Sequence, residues 1–166
     1  MQQGFQTLYP HLWAYIATFT TELKDVVTIR SLCRNARKVT SIRRLPSWKH
    51  FTDQDVREIP ALVGLEELYA NYNSKITDVS LLVNLTTLYA SYNNKITGVS
   101  SLVNLTTLHA NSYSGITDVS ALVNLTTLSA SGNSEIKDVS ALGNLTTLYV
   151  EGNYGGITDV SALINL

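Results

Sequence analysis

Leu65, Leu85, Leu105, Leu125 and Leu145 recur at steps of 20 residues, and one extra residue in "NYGGI" makes the next step, to Leu166, 21. A fixed period of this length means a chain built from equal coils stacked on one another. Counted from the first leucine, the units follow one template: Leu at positions 1 and 4, Ala or Val at 6, Asn at 9, Ile at 12, Val at 15, Leu at 18 and Asn at 20. "LTTLYASYNNKITGVSSLVN" and "LTTLSASGNSEIKDVSALGN" are two examples. Alternation at positions 4 and 6 predicts a half-buried strand. The spacing of three between positions 12, 15 and 18 predicts a tight helical or extended return. A single unit buries too few apolar side chains to offset the ordering of its own backbone, so it must stack on its neighbours.

The Asn at position 9 (Asn73, Asn93, Asn133 and Asn153) is expected to satisfy backbone groups at the turn after the strand and, stacked, to form a ladder. Tyr113 stands at that position in one coil and is expected to disturb the turn. Position 6 is small throughout (Ala70, Ala90, Ala110, Ala130, Val150), which predicts a thin core. The pattern resembles the leucine-rich repeat, "LxxLxLxxNxI", in its short internalin-like form. That resemblance covers residues 65–166. It implies an α/β solenoid, a right-handed coil with a concave parallel sheet. The short unit implies 3₁₀ or extended coil on the convex side instead of full helices. Counting backwards puts Leu45, Trp48, Val56, Ile59 and Leu62 at positions 1, 4, 12, 15 and 18, and His50 and Asp53 at 6 and 9. Residues 45–64 therefore form a degenerate capping coil in this expectation. No polar cap precedes Leu166, so either a truncation or a covering partner is expected at that edge.

Charge divides the chain. Residues 1–60 hold nine Lys/Arg against five Asp/Glu, and residues 61–166 hold three against eight. Within residues 8–39, Leu12, Tyr15, Ile16 and Phe19 mark one helical face, and a second helix is expected from Glu22 to Lys38. A small α-helical segment thus precedes the solenoid, giving a head at 1–44 and repeats at 45–166. The head resembles an F-box. Leu8, Leu12, Ile16 and Phe19 match the first part of that motif; Asp25, Val26, Val27, Leu32, Cys33, Arg34 and Arg37 match the second. Pro10 sits one residue late, His11 replaces an acidic residue and Ala36 replaces a Trp. The resemblance implies docking to a Skp-type adaptor of a cullin ubiquitin ligase through Leu8, Leu12, Ile16, Phe19, Val26 and Val27, with the repeats holding a protein client.

Positions 3, 5 and 7 point out of the core and are expected to line the concave face, where such solenoids bind partners. The expected client-binding residues are Tyr69, Tyr89, His109 and Tyr149 at position 5, Tyr72 and Tyr92 at position 8, Glu67 at position 3 and Glu151 at position 7. The uniform Thr at position 3 in later coils argues for simple sheet packing there. Cys33 is read as a structural thiol and not a nucleophile with His11 or His50, because no base and third group accompany it. A lone cysteine also fits a reducing, intracellular setting, cytoplasmic or nuclear. The position-14 aspartates (Asp78, Asp118, Asp138, Asp159) supply too few oxygens per coil for a calcium ladder and are read as turn residues. The basic run "RSLCRNARKVTSIRR" is read as a solvated face and not a nucleic-acid surface. The "NLT" sequons are by-products of the repeat. No cofactor, metal, catalytic constellation or membrane span is expected, so the chain reads as a protein-binding adaptor and not an enzyme. The alternative expectation is a repeat scaffold with a helical cap and no link to ubiquitin.

Overall fold

The computed structural model describes residues 64–166 together with Arg44–Leu45 and Asp53. The expected helical head and all six adaptor-docking residues lie outside the described residues. Six strands form one parallel sheet in chain order: β1 (Arg44–Leu45), β2 (Glu67–Tyr69), β3 (Thr87–Tyr89), β4 (Thr107–His109), β5 (Thr127–Ser129) and β6 (Thr147–Tyr149). From β2 to β6 each residue pairs with the one 20 positions on, as in Leu68↔Leu88↔Leu108↔Leu128↔Leu148. The period of the sequence is thus the register of the sheet.

Leucine, isoleucine and valine at positions 1, 4, 12, 15 and 18 fill the core in the coils from Leu65 to Leu145. Ala70, Ala90, Ala110 and Ala130 are fully buried beside them, where a larger side chain would force the strand off its neighbours. In the last coil Leu148, Val150 and Ile157 are partly buried. Between residues 65 and 166 there is no helix; the return is a series of tight turns. Its three-residue spacing has a direct cause. Leu82 N–H donates to Val79 C=O at 2.9 Å and Leu85 N–H to Leu82 C=O at 3.0 Å, three residues back each time. A turn of three residues brings every third side chain inward.

One expected register changes. Leu45 pairs with Leu68, which occupies position 4, so Leu45 is a strand-centre residue and not the first leucine of its coil. Its step to the next coil is 23 residues, Leu45 to Leu68. The degenerate coil lacks the leucine spacing that anchors the count in the others, so counting backwards at 20 slipped by three. Asp53 closes this side by accepting from Thr77 N–H (2.7 Å), Thr77 Oγ1–H (2.5 Å) and Asp78 N–H (3.0 Å).

The buried asparagines tie coil to coil. Asn93 Nδ2 donates to the carbonyls of Ala70 (3.1 Å) and Asn73 (2.7 Å) and lies 3.3 Å from that of Ile76, while its Oδ1 accepts from Lys95 and Ile96 N–H. Asn153 repeats these donations, to the carbonyls of Ala130 and Asn133, while Asn133 donates to Ala110 C=O at 2.9 Å and lies 3.4 Å from that of Ile116. The residue inserted in the last coil is absorbed after Asn153, whose Oδ1 reaches Ile157 N–H four residues on at 3.0 Å. Gly155 takes up the turn with φ 77°.

Tyr113 does not replace the ladder asparagine. It swings out, 79% exposed, and Ser114 takes the buried place. Ser114 is too short to reach the coil before it. The N–H of Gly115 donates to Asn93 C=O at 3.0 Å instead, the carbonyl that an asparagine amide would otherwise have reached. A Cβ on Gly115 would sit 2.8 Å from Asn94 O and 2.9 Å from Ile96 O, both backbone atoms that cannot move aside. Gly115→Ala is therefore expected to cost about 1–3 kcal/mol by crowding. Gly143→Ala, where the added Cβ meets nothing within 4 Å, is expected to be neutral or slightly stabilising. Chemical denaturation of the two variants checks this, and equal costs would contradict the repair assigned to Gly115.

Candidate functional site: the outer face of the sheet

Strand alternation puts positions 3 and 5 on the outer face while position 4 is buried, the half-buried, buried, half-buried pattern of β2, β3 and β4. Parallel strands about 4.8 Å apart then set equal positions side by side. The rings of Tyr69 and Tyr89 stack with centroids 4.3 Å apart and planes 8° from parallel, and Tyr89 stacks on His109 at 4.6 Å and 9°. Burial holds the His109 imidazole below its ordinary pKa, so it is neutral at pH 7. The column breaks at Ser129, which is buried, and Tyr149 follows, 57% exposed and without a ring partner among the described residues.

A second column stands beside the first. Tyr72 and Tyr92 stack at 4.6 Å and 10°. Tyr113, expelled from the ladder place, joins them tilted at 38° and 6.0 Å from Tyr92. Sequence counting did not place Tyr113 here; its signal is the "SYSG" that follows "HAN", which delays the turn by one residue. All three have left-handed backbones, with φ of 57°, 57° and 53°. Gly132 and Gly152 hold the same turn in the next two coils at φ 67° and 66°. A bulky side chain in this region costs roughly 1–2 kcal/mol. Coils with glycine show that the turn forms without tyrosine, so the fold alone does not account for the strain at the other three.

The remaining expected residues divide. Glu67 is half-buried on β2, in register with Thr87. Glu151 is exposed at the end of the position-7 column, and its carbonyl accepts from Gly132 N–H. The rest of that column faces inward in chemistry if not in direction. Asn71 Oδ1 accepts Ser91 N–H at 2.9 Å, Ser91 Oγ accepts Asn111 N–H at 3.2 Å, and Asn111 Oδ1 accepts Ser131 N–H at 2.9 Å. These groups hold successive coils together.

Two further ladders flank the sheet. Thr86, Thr106, Thr126 and Thr146 each donate Oγ1–H to the carbonyl 20 residues earlier. Asn104, Asn124 and Asn144 each donate Nδ2–H to the position-19 carbonyl of the preceding coil, at 2.9–3.0 Å. An open groove of about 650 Å³ runs over these two ladders, but its Thr hydroxyls and Asn amides already serve the neighbouring coil. On the return side, Asp78, Asp118, Asp138 and Asp159 each accept from the N–H two residues on, which is the turn role expected of them.

Hydrogen bonds from Ser120, Ser140 and Ser161 hold the carboxyls of Asp118, Asp138 and Asp159 below the ordinary aspartate range. For Asp118 the hydroxyl of Ser120 contributes most. A depressed folded-state pKa stabilises the fold above the unfolded-state value, and that stability is lost as pH falls through the folded-state value. Carboxyl titration by NMR is expected to show Asp118 below an unfolded-peptide aspartate, and Ser120→Ala to raise it part of the way back; an unchanged midpoint would remove the hydroxyl as the cause. The strain at the tyrosine column has its own check. Tyr113 is only loosely stacked, so Tyr113→Gly is expected to raise stability by up to about 1 kcal/mol. A melting temperature that falls instead would show that the ring supports the fold.

Residues 63–103 match the family model for leucine rich repeats (2 copies). The coils from Leu105 to Leu145 continue the buried positions of the matched segment, so one solenoid runs through both. An internalin (inlF) from Listeria monocytogenes strain 4b F2365 is similar at 24% identity and a TM-score of 0.47, over 76% of this chain and 38% of that one. The functional domain of InlJ from Listeria monocytogenes, which includes a cysteine ladder, is similar at 21% identity and a TM-score of 0.33, over 77% of this chain and 43% of that one. The chain spans less than half the length of either. No curated protein matches it.

Proposed function

We propose that the solenoid is a protein-binding scaffold whose binding surface is the pair of aromatic columns on the first three coils. The observation that carries this is the tyrosine at three left-handed turns, Tyr72, Tyr92 and Tyr113, where later coils use glycine. Strain kept where the fold has a cheaper alternative points to a use outside the fold. Tyrosine suits a protein contact, since it offers apolar area and a hydroxyl with only two side-chain torsions to immobilise. Between stacked neighbours the ring faces are covered, so along each column edges and hydroxyls meet the partner. Glu67 lies at the rim of this surface, and Glu151 stands two coils beyond it.

The finer proposal adds a role for the head. Leu8, Leu12, Ile16, Phe19, Val26 and Val27 would dock a Skp-type adaptor, making the chain an intracellular client receptor of a cullin ubiquitin ligase. Only the sequence resemblance supports this part. Neither part requires catalysis by this chain.

Peptide-display selection on the full chain tests the surface. Tyr72→Ala with Tyr89→Ala is expected to weaken selected binders at least about tenfold, or 1.4 kcal/mol. Leu81→Ala, half exposed on the return side, is expected to leave them unchanged. Equal losses would remove the aromatic surface from the account. For the head, a purified Skp-type adaptor is expected to be retained by the full chain and released by Leu12→Asp or Ile16→Asp. No retention, or retention indifferent to both, ends that proposal while leaving the scaffold standing.

A further inference from the structure

The position-5 column has a missing rung. Rings stand at Tyr69, Tyr89 and His109, a serine stands at Ser129, and a ring returns at Tyr149, all in one register. Occupied rungs are 4.3 and 4.6 Å apart, close to the strand spacing itself. His109 and Tyr149 are two strands apart, so their backbones are about 9.6 Å from each other. That interval is two stacking distances, room for one ring and no more.

We propose that the rung at Ser129, between His109 and Tyr149, is a slot that takes one planar aromatic side chain from a protein partner. The inference rests on the scaffold reading above and names the chemistry of one anchor within it. Three features define the slot. Its walls are His109, stacked only on the Tyr89 side, and Tyr149, with no ring on either face among the described residues. Its floor is Ser129, whose Oγ–H donates to Asn111 Oδ1 at 2.7 Å, so the hydroxyl is already engaged. At its side the adjacent tyrosine column also stops, because Gly132 has no side chain and only the small Ser112 hydroxyl lies against it. With the floor hydroxyl committed, the slot selects by shape and stacking.

Charge decides the class of occupant. The His109 imidazole is neutral at pH 7, as burial disfavours its charged form, so an uncharged ring meets no local repulsion. A nucleotide also has a planar ring, but its phosphate would meet a chain segment with eight Asp/Glu against three Lys/Arg in residues 61–166, with Glu151 exposed next to the slot. An aromatic amino acid avoids that cost.

The test uses the full chain and follows the ring signals of His109 and Tyr149 by NMR. N-acetyltryptophanamide is expected to shift both upfield and saturably; N-acetylleucinamide and adenosine monophosphate are expected not to. Ser129→Tyr fills the rung from within and is expected to weaken the tryptophan probe at least tenfold while keeping or raising the melting temperature. Tyr149→Ala removes one wall and is expected to weaken it comparably, and it decides the matter if Ser129→Tyr does not fold. Equal shifts from the leucine probe, stronger shifts from the nucleotide, or undiminished binding to either variant would overturn the slot. Display-selected peptides separate the two readings. Binders that depend on Tyr72 and Tyr89 but need no aromatic residue overturn the slot and keep the scaffold. Binders indifferent to those tyrosines overturn the scaffold first.

Discussion

Every coil depends on one arrangement: carbonyls at the turn after the strand that take a further donor from the next coil. The carbonyls at positions 6 and 9, such as those of Ala70 and Asn73, accept one N–H within their own coil, from Asn73 and Ile76, and a second donor, Asn93 Nδ2, from the next. A carbonyl oxygen has two lone pairs, so the turn is held more firmly when another coil delivers the second donor. Asn93, Asn133 and Asn153 deliver it as side-chain amides, each also fixing its own turn through Oδ1. Hydrophobic burial makes stacking favourable, but it has no direction. The amide fixes which carbonyl lies under which coil, and with it the register of the whole sheet.

That dependence makes the third coil informative. Losing an asparagine there would leave Asn93 C=O unsatisfied, yet the solenoid continues in register. A backbone N–H at Gly115 supplies the donor, and glycine is needed because the approach is too close for a Cβ. The same one-residue delay throws Tyr113 outward, where it extends the tyrosine column by a coil. A substitution that looks like damage to the scaffold therefore lengthens the surface. Structure and recognition are linked here by a single shift of the turn.

The sequence shows most of this fold because its period is the sheet's register. Leucine at positions 1, 4 and 18 is core in the four coils from Leu65 to Asn144, and the Tyr69, Tyr89 and His109 stack follows from spacing alone. Three things were not legible. Leu45 was misplaced by three because no repeated leucine anchors its coil. Tyr113 was misplaced by one because counting does not see where a left-handed turn falls. Asn71, Ser91 and Asn111 looked outward by alternation, but whether a polar side chain meets solvent or the next backbone depends on distances that periodicity does not contain.

A repeat copied this closely has few places to encode a partner, and the structure narrows them further. Position 2, 7, 9 and 20 side chains are engaged between coils, and position 3 is threonine in four successive strands, from Thr87 to Thr147. On the outer face of the sheet, the ring-bearing variation that leaves the scaffold intact falls at positions 5 and 8. There the coils differ in the one respect that stacking makes consequential, whether a ring is present. Adjacent rings cover one another's faces, so a ring added to a column extends an edge, while a ring omitted between two others uncovers two faces. The pattern of tyrosine against serine and glycine along the array therefore sets both the length of the surface and the places where a partner's ring can enter it.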